Sequence, residues 1–394
     1  MNASHVLVTV SGPDHPGITA TLMDIIVDSG NSVCDMGQSV THGLLSLSIY
    51  IQIDSEAGRK NDMVKDLLFA TKNIGLVLNY QMIDEQNSDL AFQTKDKFIL
   101  NCISVNKLHP KFLRDISKVL ADHKINILRI DNVTPKSFKS LEMTTTLPDG
   151  LDIQDLKSKL MEVSTSHEVD MAFLKDNVFR RSKRLIVFDM DSTLVQTEVI
   201  DEMADQLGVG KEVREITHRA MNGEIDFDQS LIERVSLLKG LKVEKLQEIL
   251  DGLSFTHGAE EFIKKVKSLG YKIALISGGF SFFADALKEK LDLDYSFANE
   301  LDIINGALTG KLDGTIINAN QKAMLLKLIA QQEKISLEQV VAVGDGANDL
   351  PMLSIAGLGI AYHAKDIVKK EAPHHMGHGP MTSILYFLGI NGES

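Results

Sequence analysis

Residues 185–194 read Leu185-Ile186-Val187-Phe188-Asp189-Met190-Asp191-Ser192-Thr193-Leu194. A short apolar run stopped by carboxylates has the pattern of a strand buried on both faces that ends at a site. Two more runs share it. Lys272-Ile273-Ala274-Leu275-Ile276 leads into Ser277-Gly278-Gly279-Phe280, and Val340-Val341-Ala342-Val343 leads into Gly344-Asp345-Gly346-Ala347-Asn348-Asp349. Longer helical segments lie between them, which implies βαβ units and a mostly parallel sheet. The carboxyl ends of such strands lie on one edge, where ligands bind. Three polar loops far apart in sequence are therefore expected to converge.

Those loops can carry phosphate chemistry. Asp189 and Asp191 are two apart, so both can point into one site. Paired carboxylates repel unless a cation or a shared proton relieves them. A hard divalent ion with oxygen ligands, Mg²⁺ above all, suits them, and Asp345 adds a further carboxylate. Ser277 and the amides of Gly278 and Gly279 offer donors to phosphate oxygens. Lys322, near the start of a helix expected over 320–331, can neutralise phosphate and nucleophile together. Each piece has a plain alternative: aspartates cap helices, glycine turns end strands, and most lysines are solvated.

The four pieces in this order resemble the motifs of the haloacid dehalogenase-like superfamily. The resemblance implies an Asp189 nucleophile that forms an aspartyl-phosphate, with Asp191 as general acid and then base. It implies Mg²⁺ bound by Asp189, the backbone carbonyl of Asp191, and Asp345. Ser277 and Lys322 would hold the phosphoryl group, and Asp349 would support Lys322 or the metal shell.

About 85 residues separate the first and second motifs. Apolar sets at helical spacing, such as Phe227, Leu231, Val235 and Leu238, predict a helical cap over about 199–255. Arg234 borders that apolar face, so it either forms a structural ion pair or binds an anionic substrate group. Glu198, nine residues past Asp189, is electrostatically odd beside phosphate unless the substrate carries a cation. Together they suggest a zwitterion: ammonium to Glu198, carboxylate to Arg234, phosphate to the core. The stretch 189–198, the cap segment 220–235, Ser277-Gly278-Gly279-Phe280 and residues 344–350 closely resemble the phosphoserine phosphatase family. That resemblance adds Met221 and Phe227 around the serine moiety and places Asn348 by phosphate and substrate. It implies hydrolysis of O-phospho-L-serine as the last step of L-serine synthesis. A phosphatase or phosphotransferase for another small ester such as phosphohomoserine stays open, since one methylene is worth only about 1–3 kcal/mol. An amino-acid sensor with a vestigial phosphatase fold would have lost Asp189, Asp191 or Lys322, and all three are present.

The first half repeats at an offset of 94. His15-Pro16 matches His109-Pro110, and Ile18, Leu22, Ile25 and Ile26 match Phe112, Ile116, Val119 and Leu120. Both copies predict β-α-β-β-α-β, a ferredoxin-like plan. The pair resembles the ACT domain, a small amino-acid-sensing module. In Gly12-Pro13-Asp14-His15-Pro16-Gly17-Ile18, Gly17 would start a helix whose amides hold a carboxylate and Asp14 would accept an ammonium; a plain turn and helix cap is the other reading. The ligand would be serine or another amino acid. In the second copy Leu108 replaces Asp14 and Lys111 replaces Gly17, which argues against the same ligand loop. By analogy with ACT-like modules, a homodimer is expected.

The expected organisation is an ACT-like domain at 1–86, a second at 94–176, and at 183–394 an α/β, Rossmann-like parallel-sheet phosphatase core with its helical cap. The polar stretch 175–184 is expected to be a solvated connector. Pro373-His374-His375-Met376-Gly377-His378-Gly379 reads as a solvated loop or as a transition-metal site. Across 394 residues, 41 Lys+Arg against 54 Asp+Glu give a formal charge of −13. That balance argues against nucleic-acid and peripheral membrane binding. Two distant cysteines exclude a disulfide framework and fit a reducing compartment. With no basic-then-apolar leader and no long apolar run, a cytoplasmic protein is expected.

Overall fold

The computed structural model describes residues 4–53, 60–83, 96–134, 136–221 and 224–390. By compactness the chain forms two units, 1–95 and 96–394.

The first unit runs β1 (Ser4–Pro13), α1 (Ile18–Asp28), β2 (Ser32–Thr41), β3 (Leu44–Ile53), α2 (Lys60–Asn73) and β4 (Val77–Ile83). Its antiparallel sheet has the order β2-β3-β1-β4. Strand periodicity puts Val6, Val8 and Val10 on one face with Leu45, Leu47, Ile49 and Ile51. Ile18, Leu22 and Ile26 of α1 and Met63 and Leu67 of α2 cover that face. Strand β2 is exposed along its whole length at the sheet edge, which explains why it shows no apolar alternation.

The second unit opens with the other repeat: β5 (Lys97–Ser104), α3 (Pro110–Asp122), β6 (Asn126–Asn132), β7 (Ser140–Thr146), α4 (Ile153–His167) and β8 (Val169–Lys175). Phe112, Ile116 and Leu120 pack on Leu100 and Cys102. The phosphatase-like part follows with β9 (Leu185–Phe188), β10 (Lys272–Phe280), β11 (Tyr295–Ile304), β12 (Ala307–Asp313), β13 (Val340–Gly344), β14 (Leu358–Tyr362) and β15 (His374–Met376). Strand β9 lies between β10 and β13, parallel to both. Ile186 and Phe188 enter one apolar cluster and Leu185 and Val187 the other, so both faces are covered. Between β9 and β10, α5 (Val199–Leu207), α6 (Gly210–Met221), α7 (Phe227–Leu237) and α8 (Val243–Gly252) form the helical insertion. No described helix is long and apolar enough to cross a membrane.

One sheet of eleven strands runs through the whole second unit, in the order β12-β11-β10-β9-β13-β14-β15-β8-β5-β7-β6. The seam is β15, parallel to β14 and antiparallel to β8. This corrects the expectation of a solvated histidine loop. His374 lies with Nδ1 3.2 Å from the Gly359 carbonyl and Nε2 3.1 Å from that of Phe173. Burial pushes its pKa down to about 4, and the neutral ring can donate to only one of those carbonyls. His375 meets the Ser164 hydroxyl at 3.2 Å. Buried Asp170 on β8 accepts from the amides of Gly377 (2.7 Å), His378 (3.3 Å) and Gly379 (2.9 Å). Among the described residues these histidines form no metal-ligating group.

The connector at 175–184 is likewise not solvated throughout. Arg180 is buried and pairs bidentately with buried Glu142 at 3.0 and 2.8 Å. The buried Lys183 ammonium donates to the Glu338 carbonyl at 2.5 Å. A buried guanidinium needs a carboxylate to offset its lost hydration, and the second repeat supplies it from β7.

Candidate active site

Asp189 leaves the sheet centre at the carboxyl end of β9, its amide donating to the Val343 carbonyl on β13 at 2.9 Å. The chain then turns tightly, with Ser192 in the left-handed region at φ 55°. This turn lets the aspartates leave one strand and enter one site. Asp189 Oδ1 accepts from the Met190 amide at 2.7 Å and from the fully buried Lys322 ammonium at 2.8 Å. Lys322 also donates to Asp349 Oδ1 at 2.7 Å, while Asp349 Oδ2 accepts from the Gly346 amide at 3.0 Å. The Thr193 hydroxyl donates to Asp345 Oδ1 at 2.9 Å.

Carboxylate oxygens of Asp189, Asp345 and Asp349 all lie within 4.8 Å of one another. Three carboxylates against one ammonium leave two negative charges in a buried space. That donor set, hard oxygens with an excess charge of two, fits a divalent cation. The titration of the group reflects the same imbalance. Burial, with repulsion from Asp349, raises the Asp189 pKa well above its ordinary value. Burial and Asp349 push Asp345 up to about 7. Burial and Glu198 push Asp191 up to about 8. Burial opposes the Lys322 charge, yet Asp189 and Asp349 outweigh it and raise its pKa, so it stays an ammonium.

The Asp191 carboxylate stands apart from that cluster, with Oδ1 accepting the Val199 amide at 3.0 Å. Its other oxygen explains a glycine: a Cβ on Gly279 would lie 2.6 Å from Asp191 Oδ2 and 2.7 Å from Met190 Cε. Ser277 is buried, and its Oγ accepts the Gly279 amide at 2.8 Å.

Above these loops opens a cavity of about 760 Å³. Its core wall includes Asp189, Asp191, Gly278, Gly279 and Asn348; its cap wall includes Glu198, Phe227 and Arg234. A Cβ on Gly278 would meet Phe227 Cζ at 3.1 Å, so the cap and the glycine loop after β10 are in close approach. Arg234 donates from Nε to the Ser230 carbonyl at 3.3 Å and makes no salt bridge among the described residues. Burial lowers its pKa, opposed by Glu198, Asp201 and Asp191. Glu198 accepts the Ser192 hydroxyl at 2.8 Å. Met221 ends α6, and its side chain lies outside the described residues.

In the first repeat, Gly17 precedes α1 at φ 98° with no side-chain cap, and the amide of the exposed Asp14 donates to the Gly43 carbonyl at 2.9 Å. Reasoning from sequence missed Thr193 behind Asp345 and the full place of Asp349 in the carboxylate cluster. It also missed Asn299, a buried side chain that donates to the Gly278 carbonyl at 2.8 Å and accepts the Ile317 amide at 2.8 Å. Its signal was there: an asparagine amid the apolar residues of a strand-like run.

A parallel sheet with carboxylates at its central strand end, a buried lysine and a helical insertion is the architecture of a hydrolase class. Residues 183–357 match the haloacid dehalogenase-like hydrolase family, and residues 4–81 match the ACT domain. A phosphoserine phosphatase of Archaeoglobus fulgidus is 48% identical over 242 residues, 61% of this chain and 70% of that protein. The phosphoserine phosphatase SerB2 of Mycobacterium tuberculosis is 33% identical over 385 residues, 98% of this chain and 93% of its own length. A solved structure described as a phospho-aspartyl intermediate analogue of phosphoserine phosphatase aligns at TM-score 0.50 and 48% identity, covering 52% of this chain and 99% of that one. The chain belongs to the phosphoserine phosphatase family.

Proposed function

We propose that this enzyme hydrolyses O-phospho-L-serine to L-serine and phosphate by the following division of labour. Asp189 attacks phosphorus, the bond from phosphorus to the serine oxygen breaks, and Asp191 protonates that oxygen. Asp191 then takes a proton from the water that cleaves the aspartyl-phosphate, releasing phosphate. Its raised pKa suits the first role, because a buried carboxyl keeps a proton to give near neutral pH. The phospho-aspartyl description of a related structure supports the nucleophile assignment. Asp189, Asp345 and the backbone carbonyl of Asp191 would hold Mg²⁺, which when bound supplies positive charge opposite the phosphoryl oxygens. Ser277, Gly278, Gly279 and Lys322 hold the phosphoryl group, with Asn348 beside it, and Asp349 fixes Lys322.

The observation that carries the substrate reading is Arg234. Its guanidinium faces the cavity without a carboxylate partner among the described residues, while Glu198 lines the same cavity. A half-buried cation with no ion pair is available for a substrate carboxylate. Phe227 encloses the short carbon chain between the charged ends, and the family resemblance gives Met221 a share in that role.

The test is a panel of phosphomonoesters with Mg²⁺: O-phospho-L-serine, phosphohomoserine and an aryl phosphate. Phosphoserine is expected to lead in kcat/KM. Arg234→Ala should raise its KM by roughly 10–100-fold, the worth of a charge-assisted hydrogen bond. Equal rates on all three esters, or equal losses in the variant, would overturn the reading.

Beyond the site, we propose three modules, 1–86, 94–176 and 183–394, in a cytoplasmic homodimer. Serine or a related amino acid would bind at Asp14 and Gly17 of the first, where the uncapped start of α1 leaves amides for a carboxylate.

A further inference from the structure

Helix α7 brings Phe227 and Arg234 over the site, so its placement decides whether they meet the substrate. Asp226 is spent on the helix itself, accepting the Gln229 amide at 2.7 Å. Asp228, one residue inside the helix, reaches outward instead. Both its carboxylate oxygens lie 3.2 Å from Asn318 Nδ2. Asn318 immediately precedes α9 (Ala319–Gln332), and its Oδ1 accepts the Gln321 amide at 3.2 Å as the cap of that helix. Lys322 follows one turn on, its amide donating to the Asn318 carbonyl at 2.9 Å. The preceding residue, Ile317, donates its amide to Asn299, which in turn holds the Gly278 carbonyl. Substrate helix, phosphate loop and lysine helix therefore meet at two consecutive residues, Ile317 and Asn318.

From this junction we infer that Asp228 is a positioning residue: through Asn318 it sets the register between the cap and the phosphate-binding core. The inference rests on the phosphoserine reading and deepens it. A substrate held at both ends has a fixed length, so its binding depends on the separation of Arg234 from the phosphate loop. An ester held only by its phosphate does not sense that separation. The Asp228–Asn318 contact thus acts on specificity, with the amide nitrogen of Asn318 centred between the two oxygens of an acceptor-only carboxylate.

Four proteins test it: wild type, Asp228→Ala, Asn318→Asp and the exchange D228N/N318D. Asn318→Asp keeps an oxygen to cap α9 but sets carboxylate against carboxylate. The exchange restores a donor facing an acceptor with their positions reversed. Asp228→Ala and Asn318→Asp should each raise KM for phosphoserine roughly tenfold, with KM carrying most of the loss in kcat/KM. The phosphoserine-to-aryl-phosphate ratio should fall by a similar factor, and the exchange should recover most of both. Thermal unfolding of each variant separates a local effect from a folding defect. The inference is overturned if both single variants leave KM within about twofold, if both substrates lose activity equally, or if the exchange is as impaired as Asn318→Asp. A failure of the phosphoserine reading shows separately, in wild type, as no preference for that ester. The same KM comparison then applies to whichever ester wild type prefers.

Discussion

The two βαββαβ repeats follow one plan and have different fates. The first keeps a sheet to itself, with β2 exposed from end to end. The second adds its sheet to that of the phosphatase part, through β8 against β15. Their helix starts differ in the same sense. Gly17 leaves α1 without a side-chain cap, whereas His109 caps α3 by accepting the Lys111 amide at 3.2 Å. The amide that a ligand could use in the first copy is already occupied in the second. One repeat keeps its own sheet and an uncapped helix start, while the other has become part of the catalytic unit's frame. A few polar residues at its borders, Asp170 and Glu142 among them, tie one copy of a duplicated fold into a neighbouring sheet.

The largest test of this contrast is Glu142→Ala. It removes the bidentate partner of the buried Arg180 guanidinium, leaving the longer 3.6 Å contact to part-exposed Asp176, and breaking such a buried pair removes up to about 3–5 kcal/mol. The unfolding transition of the unit 96–394 should shift to lower denaturant, taking phosphatase activity with it, while a probe in the first repeat stays in place. Loss of second-repeat structure with an intact catalytic transition would show that the shared sheet does not make one cooperative body.

A medium effect comes from pH. In the metal-free protein Asp345 and Asp191 keep their protons up to about pH 7 and about pH 8, while an unfolded chain releases them near pH ~4. In between, the folded state binds more protons than the unfolded one, so its stability falls as pH rises. The thermal midpoint of the second unit should drop from about pH 6.5 to about pH 8.5, and added Mg²⁺ should raise it more at the higher pH, since binding displaces protons. The described part of the first repeat holds no such carboxylate cluster. A metal-free midpoint of the second unit that is flat or rises over that range contradicts the assignment.

The smallest effects lie at the two helix starts. His109→Ala should lower stability by about 1 kcal/mol, the usual worth of a cap, without touching serine binding. Asp14→Ala should leave stability within about 0.5 kcal/mol and weaken serine binding in a calorimetric titration. Unchanged serine binding in Asp14→Ala would remove the ligand reading of that loop.

Much of this was legible in the residue order. The runs at Leu185, Ile273 and Val340 are apolar on both faces and end in the residues of the site, so local pattern alone announces a parallel sheet and its working edge. Strands β2 and β6 are harder to locate, because both lie at sheet edges and carry no fully buried residue to set an alternation. The histidines at 374–378 and the basic run at 175–184 read as solvated because polar residues usually are. Their partners, Phe173 and Gly359 for His374 and Glu142 for Arg180, are far away in sequence.

The chain by itself determined which chemistry is present: two aspartates, a serine and glycine turn, a lysine and a second acidic loop, each placed by periodicity and turn chemistry that act over a few residues. Tertiary structure decided how these are held. It set three carboxylates against one ammonium, left Arg234 without an ion pair among the described residues, tied α7 to Asn318, and joined one repeat but not the other to the catalytic sheet. Burial and hydrogen-bond satisfaction are properties of neighbours in space, and no local pattern records which distant residue will supply the missing partner.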